Sequence, residues 1–173
     1  EQLFVYHLGS GANGKSVFLE VIGRVLGSLA ASLPAGAISG EITGGEEKAT
    51  PEIARLFATR FVKVAEIEEN VSIRESALKR LTGGERFPAR NLFEGYFEFK
   101  PIYILHGSGN GYPRIVGVDN GIKRRVRVIE WPVQLAEGEM RNFEDVVGEL
   151  MEDREAIFAW LVEGARLYLE EGM

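Results

Sequence analysis

The sequence predicts an α/β fold in which helices flank a mostly parallel central sheet, and three observations carry that expectation. Short apolar runs recur at LFVYHL (3–8), FVKVA (61–65), PIYIL (101–105) and RVRVIEW (125–131). Segments of helical spacing separate several of them, as alternating strands and helices require. The first run passes through GSGANGKS (9–16) into an amphipathic stretch, which is the order strand, turn, helix.

Residues 3–8 predict a buried strand. From Lys15 to Leu29 the positions Val17, Phe18, Val21, Ile22, Val25 and Leu26 form one apolar stripe, so a helix is expected. The run 33–51, rich in glycine and small residues, offers at most a short strand and is expected to be a mobile loop. Thr50-Pro51-Glu52 opens a short helix, with Thr50 as cap and Pro51 in the first turn. Phe61 to Ala65 predicts a second strand, which ends in carboxylates. Ser72 is expected to cap a helix running to about Leu81, stopped by Gly83-Gly84. Residues 86–99 alternate about Asn91–Gly95 as a hairpin would. Strands at 101–105 and 125–131 follow. From about 142 to 171, Val146, Leu150, Ile157, Trp160, Leu161, Ala165 and Tyr168 recur at helical spacing, with Asp153 and Gly164 as expected breaks.

At 173 residues and 45 % hydrophobic content, the chain can bury one sizeable core. It has no stretch of about 18 apolar residues, the length a membrane span needs. It has no cysteine, which excludes disulfides and thiolate metal sites and suits a reducing cytoplasm. His7 and His106 each end an apolar run and are expected to cap strands rather than bind metal. The start at Glu1 lacks an initiator methionine and enters a strand pattern almost at once, so a single domain cut from a longer protein is expected. The net charge is −6, yet Lys79–Arg127 holds ten basic residues against four acidic ones. A basic middle in an acidic chain points to a local anionic partner; basic residues spread over a solvated face remain the alternative.

Gly9-Ser10-Gly11-Ala12-Asn13-Gly14-Lys15-Ser16 matches the phosphate-loop pattern G-x-x-x-x-G-K-[ST] in full. Glycines let successive backbone N–H groups turn inward around an anion, and the following helix adds its positive end. Lys15 can reach the outer phosphates and the Ser16 hydroxyl can ligate Mg²⁺. The expected nucleotide contacts are residues 9–16 and Val17. Such a loop needs a carboxylate at a neighbouring strand end, and Glu66 is best placed, with Glu68 and Glu69 behind it. A polar group near the terminal phosphate is also needed, and Asn110 in GSGNGY is the candidate, although an asparagine among glycines also suits an ordinary turn.

Taken in order, GSGANGKS, LFATRFVKVAEIEE, ALKRLTGGERFPARNLFEGYFEFKP, GNGYPRIVGVDNGIKRRVRVIEWP and AIFAWLVEGARLYLEEGM resemble the superfamily 3 helicases of phage and plasmid primase–helicases. The resemblance implies a P-loop NTPase of AAA+ type with a β-hairpin inserted before the sensor strand, ATP and Mg²⁺ as ligands, and a ring, usually a hexamer. Lys15 and Ser16 would be Walker A, Glu66 Walker B and Asn110 the sensor. Arg124 or Arg125 would be an arginine finger entering the neighbour's site, and Lys79 a basic position facing that shared site. The hairpin would carry single-stranded DNA contacts at Arg90, Asn91, Leu92 and Phe93. A primase portion on the same longer chain is implied as well. The glycine-rich HGSGNGY predicts a loosely held Asn110.

Two other functions fit the phosphate loop. A small-molecule kinase would need an arginine-bearing lid, which 33–51 does not supply. A nucleotide-gated DNA-binding module would not need the set Lys15, Ser16 and Glu66.

Overall fold

The computed structural model describes residues 2–39, 51–69, 71–91, 93–117 and 120–172, with Phe87 described through its backbone alone. Thr50, Leu92 and most of the expected 33–51 loop lie outside the described residues.

In chain order the elements are β1 (Phe4–Leu8), α1 (Lys15–Leu26), β2 (Ala30–Leu33), α2 (Gly36–Ser39), α3 (Pro51–Ala54), β3 (Phe61–Val64), β4 (Ser72–Arg74), α4 (Glu75–Thr82), β5 (Phe87–Arg90), β6 (Tyr96–Phe99), β7 (Ile104–Gly109), β8 (Arg114–Val116), α5 (Asn120–Lys123), β9 (Val126–Glu130), α6 (Phe143–Glu152) and α7 (Arg154–Glu171). The central sheet runs β2-β3-β7-β1-β9 with every pairing parallel. Its strands are short, and the central β3, β7 and β1 bury Phe61, Val62, Val64, Leu105, Phe4 and Tyr6, as inner strands covered on both faces should. One core of Phe4, Tyr6, Leu33, Ile38, Leu56, Val62, Ile73, Leu78, Leu81 and Leu105 packs sheet, helices and hairpin together. On the other side Leu19, Ile22 and Phe61 meet Phe18, Ile157 and Leu161, which seats α7 against α1.

Several expectations need correction. Ser72 does not cap a helix. It opens β4, which pairs in parallel with β8, and α4 starts at Glu75 with Arg74 before it. The polar start and the single core residue Ile73 gave this three-residue strand no alternation to detect. Ala30–Leu33 is the sheet's edge strand, missed because AASL has almost no apolar bulk. α1 ends at Leu26 and a 3₁₀ turn takes Gly27–Leu29. The strand expected at 101–105 begins at Ile104 and runs through the glycines to Gly109. In the C-terminal helices Asp153 does interrupt, whereas Gly164 lies inside α7. Val147 is the fully buried contact of α6, while Trp160, expected inside, is 61 % exposed.

Between α4 and β7, β5 and β6 pair antiparallel in register Phe87↔Phe99 to Arg90↔Tyr96. Among the described residues no helix is long and apolar enough to cross a membrane.

Candidate functional site

All five sheet strands point the same way, so their C-terminal ends form one rim, where open parallel sheets gather their ligand groups. The rungs Leu8↔Gly109 and Leu8↔Glu130 put Asn110 and Trp131 on opposite flanks of Gly9. Ile67 N–H donates to Ser108 O at 2.8 Å, which ties the chain after β3 to β7 and brings Glu66 to the same rim.

Between Gly9 and Lys15 the backbone takes positive φ at Gly11 (95°), Ala12 (47°) and Gly14 (83°). Left-handed residues close together turn amide N–H groups to one side, and α1 begins at the next position with Gly14 as its cap. Lys15 is buried. Its ammonium donates to Gly9 O at 2.5 Å and to Asn13 Oδ1 at 3.1 Å. Burial lowers its pKa, and the charge of Glu66 acts the other way, which places that carboxylate in the lysine's field. Ser10, Ser16, Glu66 and Asn110 are exposed, and Val17 is half-buried. Among the described residues no three His, Cys, Asp or Glu side chains cluster as a metal cage. Ser16 and Glu66 are nonetheless hard oxygen donors of the kind Mg²⁺ takes singly or in pairs beside phosphate oxygens.

The glycines on either side of Asn110 are both engaged by Tyr6. Tyr6, buried in mid-strand, donates its hydroxyl to Gly111 O at 2.8 Å. A Cβ on Gly109 would stand 2.1 Å from that hydroxyl oxygen, so this glycine serves a close approach. Burial raises the Tyr6 pKa, and Glu66 and Glu69 add to it, so both acids lie near this hydroxyl. A further tie joins Tyr112, whose hydroxyl donates to Glu130 at 3.0 Å, across from β7 to β9.

The two histidines correct their expectation most clearly. They are not separate caps. Trp131 Nε1–H donates to His7 Nδ1 at 3.1 Å, and His7 Nε2 lies 3.2 Å from His106 Nδ1. An indole can only donate, so neutral His7 carries its proton on Nε2 and donates it to His106. Burial, then the Lys15 charge, lower the His7 pKa to about 4. Burial, then His7, lower that of His106 to about 3. A strap beyond β9 closes the same side. Trp131 N–H donates to Leu8 O, and Leu135 N–H to Ala12 O at 2.7 Å. Tyr6, Trp131 and the histidine pair went unrecognised as parts of this site. The available signal was a tyrosine inside a buried strand, whose hydroxyl needs a partner.

The remaining candidates lie apart from the phosphate loop. Arg124, Arg125 and Arg127 border a cavity of about 400 Å³ with Gln2, Gly83, Gly84 and Lys100, at the N-terminal end of the sheet. Arg125 is buried, donating to Gly121 O at 2.8 Å and Gln2 Oε1 at 2.7 Å, whereas Arg124 is exposed. Lys79 pairs with Glu75 on α4 and lines a separate open hollow with Ser39, Arg74 and Val116; among the described residues none of 9–16 borders that hollow. On the hairpin, Arg90 lies over the Tyr96 ring at 5.1 Å, and Asn91 donates to Glu94 at 2.7 Å. Phe93 is fully exposed at φ 64°. Leu92 lies outside the described residues.

The chain is 31 % identical over 133 residues to "Putative helicase 022R" of Frog virus 3 (isolate Goorha), covering 75 % of this chain and 14 % of that protein. It is 32 % identical over 129 residues to "Putative helicase L207/L206" of Acanthamoeba polyphaga mimivirus, covering 75 % and 13 %. The chain is thus similar to viral proteins named as helicases. It spans about one seventh of the length of these curated relatives. Its fold matches an apo structure of the NrS-1 C-terminal region with a TM-score of 0.67 and 16 % identity, over 90 % of this chain and 36 % of that one. A second form of that region matches at TM-score 0.63 with 16 % identity, over 89 % and 34 %. No family model matches the chain.

Proposed function

We propose that the chain is the ATP-hydrolysing motor of a DNA helicase or translocase, part of a phage, prophage or plasmid replication protein, on a P-loop sheet of AAA+ type. The observation that carries the reading is the meeting at one rim of the left-handed loop with Lys15, Asn110 beyond β7 and Glu66 beyond β3. The intervening strand β7, between loop strand and carboxylate strand, supports the AAA+ assignment.

In this reading residues 9–16 hold the phosphates through backbone N–H groups, with Val17 beside them at the helix start. Lys15 exchanges Gly9 O and Asn13 Oδ1 for phosphate oxygens. The Asn110 amide donates to the terminal phosphate and orients water, and Glu66 accepts that water's proton. Ser16 and Glu66 would hold Mg²⁺, which would supply neutralisation of phosphate charge. Arg124 serves a neighbouring subunit's site in a ring, a hexamer on the family's pattern, and Lys79 faces the same junction. Arg125 positions Arg124 by anchoring the end of α5. Arg90, Asn91, Leu92 and Phe93 meet single-stranded DNA, and a primase portion lies elsewhere on the longer chain.

The test is ATP hydrolysis against protein concentration, with and without single-stranded DNA. Turnover per subunit that rises with both supports a shared site in a DNA motor. Turnover flat in both would favour a kinase, and tight ATP binding without turnover a nucleotide-gated binder.

A further inference from the structure

Phe57 is 60 % exposed, although aromatic rings stand close to it. It meets Phe97 and Phe99 of β6 edge-on, with ring centroids at 5.8 and 6.0 Å and both planes at 80°. Two T-shaped contacts fix the ring's orientation and leave much of its surface to solvent. Ala58, next in sequence, has φ 62°, an unfavourable conformation for a residue with a Cβ. The loop thus holds a large apolar side chain outward on a strained backbone.

The flanking stretch of chain is basic. Arg55 and Arg60 are both exposed, and neither side chain makes an ion pair or hydrogen bond among the described residues. From Ile53 to Ala65 the chain contains no acidic residue. An oriented aromatic flanked in sequence by two exposed arginines suits a base and its neighbouring phosphates: stacking tolerates any base, and cations follow the backbone. An apolar protein partner would gain little from two unpaired arginines in an otherwise acidic chain.

We infer that the exposed residues Arg55, Phe57 and Arg60 of the segment before β3 form a second contact for single-stranded nucleic acid, distinct from the tip of the β5–β6 ribbon. Phe57 is the stacking platform, and Arg55 and Arg60 hold flanking phosphates. Because Phe57 leans on β6, strand bound there bears on the root of the same hairpin whose tip carries Phe93. The inference rests on the helicase reading but concerns a different surface.

The test is binding of a fluorescent oligothymidylate as a function of salt, using the full chain. Phe57→Leu should weaken binding roughly tenfold with an unchanged salt slope, and Phe57→Tyr should restore it. Arg55→Gln with Arg60→Gln should reduce the log–log salt slope by about 1.4, at roughly 0.7 per phosphate on single strands. Arg166→Gln, on the far C-terminal helix, should change neither. If Arg90→Ala weakens binding while Phe57→Leu and the double arginine variant match the parent, this second contact is wrong and the hairpin reading stands. If the parent binds no oligonucleotide, both fail. If Phe57→Leu leaves binding intact but lowers the sedimentation coefficient, the face is a protein contact and the inference is overturned.

Discussion

At the scale of single residues, the hydrogen-bonded run Trp131–His7–His106 lies beside the phosphate-loop lysine and depends on both imidazoles being neutral. Both histidines have folded-state pKa values below the ordinary 6.5. The unfolded chain therefore binds more protons below that value, and stability present above pH 6.5 is lost as pH falls towards 4. His7 alone should contribute a loss of roughly 3 kcal/mol across that window, from about 1.4 kcal/mol per pH unit. Urea unfolding at pH 7 and pH 4.5 checks this, and His7→Gln should flatten the dependence. A pH-independent midpoint in the parent would refute it. The residues of the phosphate loop were legible in the sequence because eight consecutive positions carry the chemistry. The histidines were not, because their meaning lies in a partner 99 residues away. Arg124 and Arg125 were likewise indistinguishable as neighbours in sequence, until burial separated the exposed side chain from the one tied to Gly121 and Gln2.

At the scale of elements, the strands that carry the rim were readable from their apolar runs, whereas β2, β4 and β8 were not. Each of those three has only three or four residues at an edge or in a two-stranded pair, too few for periodicity to register. β7 shows how a glycine-rich stretch can belong to a packed strand. A Cβ at Gly109 would also come within 2.7 Å of Ile67 O, so the position has no room for alanine. Gly109→Ala should destabilise by about 1–3 kcal/mol through overpacking. It should also displace Asn110 and reduce hydrolysis more than nucleotide affinity, measured as turnover against a fluorescent-nucleotide titration. Elsewhere, Asn142 caps α6 through its side chain, accepting from Glu144 N–H at 2.9 Å and Asp145 N–H at 3.3 Å. Asn142→Ala should cost about 1 kcal/mol in thermal unfolding while leaving nucleotide affinity untouched. Equal stability of parent and variant would mean that the C-terminal helices unfold apart from the sheet.

At the scale of the whole molecule, the two ends of the sheet differ in what they offer. The C-terminal rim holds the loop with Glu66, Glu69 and Glu130 close by, and the N-terminal end holds Lys100, Arg124 and Arg127 around their cavity. The five residues of β1 separate these ends by roughly 16 Å at about 3.3 Å per residue. In the proposed reading Arg124 is too far from the loop of its own chain and would serve that of a second copy set head to tail, the heterologous contact that closes into rings. Such an arrangement predicts a specific complementation. Lys15→Ala should abolish hydrolysis. Arg124→Ala should lower it roughly 10³-fold or more while leaving nucleotide affinity unchanged. Each working junction needs Lys15 from one copy and Arg124 from the next. A random equimolar mixture of the two dead variants should then regain about a quarter of parental turnover, since half the copies supply each part. Arg125→Ala should behave differently: it removes the tie between α5 and Gln2, so it should lower the unfolding midpoint, and mixing should not repair that defect. A mixture that stays inactive although both variants assemble with the parent would show that Arg124 is not the shared cation, and would turn attention to Arg127 on the same cavity.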